Sequence, residues 1–541
     1  MLGKQAIIDF FKVKNIQNIF HLPGIHALPL YECLIRENIN VFVGRHEANI
    51  LFMADGFARS SGEIGVVVAT PGPGLGNTVS GCMEAYGDDV PLLIINVDTS
   101  PEAGKGLLHG LAEPESIFAH ITKRTFRISD CNQIVLGLNA AYECAITERK
   151  GPVVVSLPYR LFEKSVSVPS SYSVKPAWLT TERVSATFQH ELDSLLKSRK
   201  KPVIIGGGAL MFDEAREILD ETCGKGSIPF LTSTGGKGIV REGSASSFGN
   251  VLQKGVVGHI MTSADIVIAI GTRLREADSK GRGLKMKDLI HVDVDDRWIG
   301  KNYPTRLTMT GDIKKSLQGI HEALKGMRFD WDLTELKRLQ TKDRQGLRRV
   351  SPGFRVTQML RQVMPDDTMI VCDLNYLSYW AELYFPVYHQ KTFFMPRGIS
   401  PIFYALPASI GVKIARPGNP CLCVVGDGSV LPTIAELATI KKYNIPVIIL
   451  VHNNNSFGVL EDAMIDRYGI AGSMALENPQ FVEIASAYGI ESRKASTVDG
   501  LRRIFTRDIT WQEPFLIEFD QPLLPPPWRV GTTRTGSSVS G

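Results

Sequence analysis

The chain of 541 residues is long enough for about three or four domains of ordinary size. Its 44% hydrophobic and 21% charged residues are proportions typical of a soluble globular protein, and 60 basic against 56 acidic residues leave a net charge of only +4. Near-balanced charge without a basic block argues against a nucleic-acid partner, and apolar runs of about six residues are far too short to span a membrane.

The first residues of the chain show a helix and a strand rather than a targeting signal. An amphipathic pattern runs from Ala6 to Phe11, and an apolar strand is predicted over 16–22. This stretch does not have the succession of charged, apolar and small residues that marks a signal peptide. The eight cysteines are scattered, which predicts reduced thiols and no zinc site. The sequence therefore predicts a cytoplasmic protein.

Two distant stretches of the chain repeat one pattern of helices and strands. Residues 54–95 and 408–453 each read helix, glycine-containing turn, apolar strand, glycine-rich loop, helix, proline and apolar strand. Such self-similarity predicts two related α/β domains. Their strands are uninterrupted apolar runs, as expected of parallel sheets covered by helices on both faces.

A third α/β segment lies between the two copies. It contains the apolar strands of KPVIIGGGAL (201–210), ADIVIAIGTRL (264–274) and LIHVDVDD (289–296). We therefore predict an α/β fold of three doubly wound parallel-sheet domains. The predicted domains and tail are 1–165, 184–330, 350–522 and 523–541, with linkers in 162–183 and 334–351.

The glycine-rich loop GPGLGN (72–77) does not match the dinucleotide-binding fingerprint. Its three glycines alternate with other residues and are followed by Asn77, whereas the fingerprint is G-x-G-x-x-G with an acid after the next strand. The GGGAL of the central segment is an equally weak match. These loops argue against a nicotinamide-dependent dehydrogenase.

The stretch GRHEANILFMADGFAR (44–59) places Glu47 at a strand-to-helix junction. Its neighbours Ile50, Leu51 and Met53 are apolar, so the carboxylate is expected to be partly desolvated, which favours its protonated form. A carboxyl group in that state can hydrogen-bond a nitrogen of a bound heterocycle. The alternative is an ordinary first-turn glutamate stabilised by the helix dipole.

The most informative stretch of the chain is GDGSVLPTIAELATIKKYNIPVIILVHNNNSFG (426–458). One apolar strand ends at Asp427, a helix follows, and the next apolar strand ends near Asn454. Parallel strands deliver their ends to one edge of a sheet, so these two side chains are expected to face one site. A carboxylate, an amide oxygen and a main-chain carbonyl suit Mg2+, which takes phosphate oxygens as further ligands. The implied ligand is a diphosphate, and the alternative is an ordinary βαβ unit with a polar rim.

These residues resemble the thiamine-diphosphate motif, in which GDG is followed by an asparagine pair. A resemblance to acetolactate synthases covers nearly the whole chain, through RHE (45–47), HLPG (21–24), TPGPGLGN (70–77) and LPASIG (406–411). It implies a thiamine-diphosphate- and Mg2+-dependent enzyme with pyrimidine-binding, central and diphosphate-binding domains. Some relatives bind FAD in the central domain, so the resemblance admits FAD, although no residue pattern here supports it.

The resemblance assigns the metal and cofactor residues by their position. Asp427, Asn454 and the carbonyl of Ser456 would be the protein ligands of Mg2+. The glycine-rich turn after the first strand and the loop that begins at Asn375 would surround the diphosphate. The other implied cofactor residues are Pro23, Gly24, Asn77, Tyr376, Leu377, Ser378, Gly426, Gly428, Ser429, Phe457 and Gly458.

On the aminopyrimidine side, the resemblance implies that Glu47 hydrogen-bonds a ring nitrogen and thereby promotes removal of the C2 proton of the thiazolium. Ile402 would lie beneath the bent cofactor, and the Ser400 carbonyl and Ile402 amide would hold the edge of the aminopyrimidine ring. In the family the glutamate comes from one subunit and the diphosphate site from another. A homodimer or homotetramer with active sites between subunits is therefore implied.

The substrate side of the pattern departs from acetolactate synthases. Where these enzymes carry a tryptophan and an arginine after the asparagine pair, this chain has Glu461 and Ala463. Their FQE reads Leu111, Ala112 and Glu113 here. These differences argue against a role in branched-chain amino-acid synthesis.

Two histidines are candidates for acid–base catalysis on the substrate. His26 falls where benzaldehyde lyase has a histidine near the cofactor. Pyruvate decarboxylases have an acid after PG and a pair of histidines, whereas this chain has Ile25 after PG and His109 followed by Gly110. Histidine titrates near neutral pH, so it can shuttle protons to and from an alkoxide. The alternative for each histidine is a polar rim residue.

The resemblance to acetolactate synthases implies decarboxylation of a 2-oxoacid and carboligation of the resulting enamine to an aldehyde or ketone acceptor. One alternative is a decarboxylase that releases an aldehyde without ligation. A more remote alternative is a catalytically silent scaffold that retains the fold. The predicted partners are the small-molecule 2-oxoacid, the carbonyl acceptor and further copies of the chain.

Overall fold

The computed structural model describes residues 1–99, 109, 113–167, 186–212, 214–279 and 283–523. These residues form three six-stranded sheets whose paired strands are all parallel, with helices between successive strands. The predicted α/β fold of three doubly wound domains is therefore confirmed. The domain boundaries themselves remain predictions, and the tail after Leu523 and most of the linker 162–183 lie outside the described residues.

The first domain carries the N-terminal copy of the repeat. Its strands are β1 (Asn18–His21), β2 (Asn40–Val43), β3 (Gly65–Ala69), β4 (Leu92–Asp98), β5 (Arg124–Arg127) and β6 (Val153–Pro158). Its helices are α1 (Gly3–Val13), α2 (Leu28–Arg36), α3 (Glu47–Ser61), α4 (Pro73–Gly76), α5 (Val79–Gly87) and α6 (Ile134–Ile146). The sheet order is β2-β1-β3-β4-β6-β5. Strands β3 and β4 are buried along their whole length, as their uninterrupted apolar sequences predict.

The central domain has a different strand order. Its strands are β7 (Pro202–Gly206), β8 (Phe230–Thr232), β9 (Ser247–Asn250), β10 (Ile266–Ile270), β11 (Leu289–Asp293) and β12 (Thr305–Thr310). Its helices are α7 (Ala186–Leu196), α8 (Ala215–Gly226), α9 (Val256–Ser263) and α10 (Ile313–Leu324). The order β12-β11-β10-β7-β8-β9 is the 3-2-1-4-5-6 arrangement of doubly wound nucleotide-binding sheets.

The stretch 334–351, taken as a linker from its charge, is for the most part a helix, α11 (Leu333–Val350). Its N-cap is Asp332, whose side chain accepts a hydrogen bond from the main-chain N–H of Glu335. Leu336 and Gln340 are buried one turn apart, so one face of this charged helix packs on the protein. The high charge content concealed the helical spacing of those buried positions.

The third domain repeats the topology of the first. Its strands are β13 (Met369–Cys372), β14 (Phe393–Phe394), β15 (Cys421–Gly426), β16 (Ile448–His452), β17 (Glu491–Ala495) and β18 (Phe515–Phe519). Its helices are α12 (Pro352–Val363), α13 (Tyr376–Tyr384), α14 (Ala405–Ala415), α15 (Asp427–Val430), α16 (Leu437–Tyr443), α17 (Gly458–Tyr468), α18 (Phe481–Ala487) and α19 (Val498–Arg507). The order β14-β13-β15-β16-β18-β17 equals that of the first sheet when each is counted from its own first strand. The internal repeat thus corresponds to two domains of one topology.

Helices α3 and α14 join the first and third domains at a very close approach. A Cβ atom on Gly56 would lie 2.2 Å from the carbonyl oxygen of Ala408, and one on Gly411 would lie 1.7 Å from the carbonyl oxygen of Met53. Only glycine fits at such contacts. Because Glu47 is the first residue of α3, this packing also fixes the position of Glu47 relative to the third domain.

The described residues include no helix that is both long and apolar enough to cross a bilayer. All eight cysteines are free, and seven of them are buried.

Candidate active site

The first half of the candidate site surrounds Glu47 at the start of α3. The preceding His46 caps the helix, since its side chain accepts a hydrogen bond from the N–H of Ala48. The Glu47 side chain is half-buried, and its Oε2 accepts a hydrogen bond of 3.0 Å from Asn77 Nδ2. Asn77, one of the implied cofactor residues, therefore orients the carboxylate that the sequence singled out.

Two glycine-containing loops meet beside Glu47 through Thr70, which sequence reasoning did not single out. A Cβ on Gly24 would lie 2.4 Å from Thr70 Cγ2, and one on Gly74 would lie 2.2 Å from Thr70 Oγ1. The same Cβ on Gly74 would lie 3.6 Å from Glu47 Oε1. The loop of Pro23 and Gly24, which follows β1, and the loop that follows β3 thus border one space with Glu47.

His26 and His109 lie together at this edge of the first sheet. Their ring centroids are 6.2 Å apart, and the ring of His26 lies 5.3 Å from that of Tyr159. A Cβ on Gly72 would lie 3.0 Å from His109, so the loop that borders Glu47 also borders this histidine. Burial, together with the neighbouring charge of His109, lowers the pKa of His26.

The second half of the candidate site is built around Asp427 at the end of β15. Its carboxylate is almost fully buried and accepts a hydrogen bond from Asn478, whose side chain also reaches Asn453 after β16. Burial raises the pKa of Asp427, and the nearby main-chain N–H groups of Gly428, Ser456 and Asn455 oppose that effect. The structure therefore brings Asp427 into contact with the loop that follows β16, as parallel neighbouring strands require.

The loop after β16 is held from two directions. Asn478 Nδ2 lies 2.7 Å from Asp427 Oδ2 and 3.1 Å from Asn453 Oδ1, although no motif in the sequence pointed to Asn478. A Cβ on Gly458 would lie 2.3 Å from Asn454 Nδ2, so the Asn454 side chain lies directly over that glycine. The hydroxyl of Ser456 donates to Glu461 on α17.

Asn375, in the loop after β13, has a buried side-chain donor that could bind a ligand. Its Oδ1 accepts a hydrogen bond from the N–H of Ser378 and caps α13, but its buried Nδ2 has no hydrogen-bond partner among the described residues. A Cβ on Gly426 would lie 3.3 Å from the Cβ of Asn375, which places this donor beside the turn that holds Asp427. A buried donor at a helix N-terminus fits an anionic oxygen, and the oxygen-only donors nearby fit Mg2+.

The other implied diphosphate residues have different surroundings. Leu377 and Ser378 are fully buried in α13, and Ser429 is almost so. The hydroxyl of Tyr376 donates to the carbonyl of Gly458 at 2.7 Å and so ties α13 to the loop after β16. A Cβ on Gly428 would lie 2.4 Å from the ring of Phe457, so a larger residue at this turn would clash with that ring.

The loop before α14 carries the two residues implied for the aminopyrimidine. Ser400 has a positive φ of 58°, which is unusual for a residue other than glycine. Ile402 is 40% exposed, a high value for a large apolar side chain. These two residues lie at an open edge of the third domain.

A buried glutamate of the third domain, also missed by sequence reasoning, connects the two half-sites. Glu436 Oε1 accepts hydrogen bonds of 2.9 Å from the N–H of Arg45 and from Asn49 Nδ2. It thereby fixes both ends of the short segment that contains Glu47. The hydrogen bond of Glu47 nevertheless stays within the first domain, and those of Asp427 stay within the third.

The residues that differ from those of acetolactate synthases on the substrate side have different surroundings. Glu461 is half-buried and accepts a hydrogen bond from Ser456, Ala463 is exposed on α17, and Glu113 is exposed. Leu111 and Ala112 lie outside the described residues.

A separate cavity of about 480 Å3 opens between the central domain and the other two domains. It lies at the ends of β7 and β10, where the order of the central sheet reverses and where doubly wound sheets bind nucleotides. Gly208, Thr272 and Asp293 line it on one side, and Arg59 and Asp88 on the other. The resemblance admits FAD in the central domain without a residue pattern that supports it, and the cavity does not change that.

Comparison with known proteins finds similarity along nearly the whole chain. The models of the thiamine pyrophosphate enzyme N-terminal TPP-binding domain, central domain and C-terminal TPP-binding domain match residues 1–114, 190–320 and 375–519. The chain is 28% identical to a probable acetolactate synthase large subunit of Methanocaldococcus jannaschii, over 98% of this chain and 94% of that protein. It is 29% identical to the acetolactate synthase large subunit of Lactococcus lactis, over 95% and 92%. It is 30% identical to the probable 2-ketoarginine decarboxylase AruI of Pseudomonas aeruginosa, over 92% and 90%.

Proposed function

The chain belongs to the acetolactate synthase-like family of thiamine pyrophosphate enzymes, and on that premise we propose that it decarboxylates a 2-oxoacid and ligates the product to an aldehyde or ketone. The observation that carries the proposal is the position of buried Asp427, which Asn478 links to Asn453 after β16, beside an Asn375 Nδ2 that has no partner among the described residues. This arrangement provides oxygen ligands for Mg2+ and a donor for a diphosphate oxygen at one sheet edge.

Asp427, Asn454 and the carbonyl of Ser456 are the residues we assign to Mg2+. Asn375 and the main chain of Gly428 would then contact the diphosphate. Bound thiamine diphosphate would supply an electron-accepting thiazolium, which allows CO2 to leave a 2-oxoacid. The chain's own task at this edge is to hold the charged end of the cofactor and to neutralise it.

Glu47 is the group we assign to proton transfer on the aminopyrimidine side. Its half-buried carboxyl is oriented by the hydrogen bond from Asn77, and Glu436 holds the main chain of the segment in place. Fixed orientation matters because a proton is transferred efficiently only across a short and aligned hydrogen bond. His26, 6.2 Å from His109 between ring centroids, is the candidate for moving protons at the substrate.

We propose that two subunits complete each site. The hydrogen bonds of Glu47 and of Asp427 stay in separate domains, which supports this arrangement. Large apolar side chains are exposed beside both half-sites, Ile25 beside the first and Ile402 and Leu460 beside the second. Such exposed groups favour association with another protein surface. The free cysteines further support a reducing compartment, the cytoplasm.

A decarboxylase that releases an aldehyde is the second candidate. The similarity to a probable 2-ketoarginine decarboxylase supports it, as do Glu461 and Ala463 in place of the acceptor-selecting pair of acetolactate synthases. Glu47, Asp427 and Asn454 are all retained, which argues against a silent scaffold.

The test is product analysis by mass spectrometry with thiamine diphosphate, Mg2+ and a panel of 2-oxoacids, each with and without excess aldehyde. A chiral hydroxyketone supports ligation, whereas free aldehyde at every acceptor concentration supports the decarboxylase. Glu47→Gln is the matched inactive control. Calorimetry with Asp427→Ala and Asn454→Ala tests the metal site, and undiminished cofactor affinity in both variants would contradict the assignment.

A further inference from the structure

We propose that Glu84, a residue of the first domain, positions the cofactor loop of the third domain, here defined as residues 397–400. The proposal rests on the proposed function only in the role that it gives to Ser400 and Ile402. Glu84 is a positioning residue in this account, because it acts through the main chain of the loop and does not itself touch cofactor or substrate.

The side chain of Glu84 binds every main-chain N–H of the cofactor loop. Its Oε1 accepts from Arg397 and Gly398 at 2.9 Å each, and its Oε2 accepts from Ile399 at 2.8 Å and Ser400 at 3.0 Å. The carboxylate is completely buried. A single carboxylate has about four acceptor positions, and the loop supplies four N–H donors to it.

The cofactor loop also presses directly against the main chain of α5. A Cβ on Gly398 would lie 2.2 Å from the carbonyl oxygen of Glu84, and one on Gly87 would lie 2.4 Å from the Cα of Gly398. Both positions therefore require glycine. The contact of Gly398 with Glu84 joins residues 314 apart in the sequence and fixes the loop to another domain.

The hydrogen bond to Glu84 stabilises an unusual main-chain conformation at Ser400. Its φ of 58° lies in the left-handed region, which costs free energy for any residue with a Cβ. The hydrogen bond from its N–H to Glu84 compensates that cost and fixes the direction of the next peptide unit. Ile402 follows two residues later, so the orientation of both groups assigned to the aminopyrimidine depends on Glu84.

The charge of Glu84 is balanced inside the protein. Arg59 lies 3.3 Å from Glu84 Oε1. Burial and the nearby Asp88 raise the pKa of Glu84 to about 7, an effect that Arg59 opposes. Hydrogen bonds to a charged acceptor are roughly twice as strong as neutral ones. A glutamine at position 84 would be neutral and would weaken these hydrogen bonds. Its NH2 group would also face two main-chain N–H donors.

Glu84→Gln tests the proposal first in the protein without cofactor. We expect faster amide hydrogen exchange in peptides that cover 395–404, measured by mass spectrometry. Glu436→Gln is the matched control, because Glu436 is an equally buried carboxylate that reaches across the same two domains to Arg45 and Asn49. That control should loosen peptides around 43–50 and leave the cofactor loop protected.

The second readout is exchange of the C2 proton of thiamine diphosphate, compared with the affinity for the cofactor. We expect C2 exchange to slow by about 10- to 100-fold in Glu84→Gln, since small misplacements of aligned groups have effects of this size. The affinity should change far less, because the diphosphate residues lie at other strand ends. Ser400→Gly in the Glu84→Gln background should recover part of the C2 exchange, because glycine adopts a positive φ freely.

Wild-type C2 exchange in Glu84→Gln would overturn the proposal while leaving the proposed function intact. Failure of the wild-type protein to bind thiamine diphosphate would instead overturn the proposed function. Should Glu84→Gln not fold, Glu84→Asp keeps the charge but withdraws it by one methylene, and the same two measurements apply to it. Unchanged exchange at both the amides and C2 in that variant would equally exclude the role.

Discussion

Asn478 donates a 2.7 Å hydrogen bond to the carboxylate of Asp427, from a segment of the chain that no motif had marked. The same nitrogen lies 3.1 Å from Asn453 Oδ1, so it links the ends of β15 and β16 from outside. Partners of this kind orient metal ligands, and their loss typically lowers metal affinity about 10- to 100-fold.

Asn478→Ala should therefore weaken Mg2+-dependent binding of thiamine diphosphate by about 10- to 100-fold while Asp427 and Asn454 remain in place. Calorimetric titration with Mg2+ at fixed cofactor is the measurement. Asn419→Ala is the control, since its amide donates to Asp367 at 2.8 Å beyond the opposite end of β15. Equal Mg2+ affinity in the wild type and Asn478→Ala would show that the hydrogen bond does not orient the ligand.

Glu47→Gln should fold and bind thiamine diphosphate normally but exchange the C2 proton slowly, because the amide cannot exchange a proton with the ring nitrogen. Glutamate and glutamine both have a side-chain oxygen that can accept the hydrogen bond from Asn77. The structure of the segment around residue 47 should therefore persist. Proton exchange is followed by NMR after quenching in acid. A wild-type exchange rate would remove Glu47 from the mechanism.

Mixing two inactive variants tests whether the site is shared between subunits. Dimers that combine a Glu47→Gln subunit with an Asp427→Ala subunit would contain one intact site, formed by the unchanged half of each chain. Random association should then restore about a quarter of wild-type activity after co-expression. Each variant alone is the control. No recovery in verified mixed dimers would place Glu47 and Asp427 of the same chain in one site.

His26→Ala should lower turnover by about 10²- to 10⁴-fold with little change in cofactor affinity, as expected for loss of a proton-transfer group. His109→Ala should have a smaller effect, because Gly110 breaks the paired-histidine pattern. Steady-state kinetics across pH 6 to 8 is the measurement. Full turnover of His26→Ala over that range would make His26 a rim residue and direct attention to His109 and Glu113.

The pH dependence of turnover should report the surroundings of His26. Burial and the charge of His109 lower the pKa of His26, so its neutral form persists to lower pH and the acid limb should lie below the usual value of about 6.5. His109→Ala removes one of these two causes and should move the limb toward higher pH. An unmoved limb would show that the observed titration belongs to another group.

The internal repeat and the three parallel sheets were predictable from sequence, whereas a metal site shared by Asp427 and Asn454 stays a prediction. Apolar runs of strand length define the sheets, and one strand-helix-strand unit separates the two polar ends. Because β15 and β16 are adjacent parallel strands, their carboxyl ends lie side by side at one edge of the sheet. The helix α11 was missed because its buried positions, Leu336 and Gln340, stand among many charges.

By itself, the sequence determined which residues lie at the strand ends, and thus the family of the chain. Only the tertiary structure decided that Glu84 grips the cofactor loop, that Glu436 holds Arg45 and that Asn478 meets Asp427. Local spacing fixes contacts within one strand-helix-strand unit, because helix and strand periods are regular. Contacts between domains depend instead on how α3 and α14 pack, and that packing follows from the shapes of surfaces far apart in sequence.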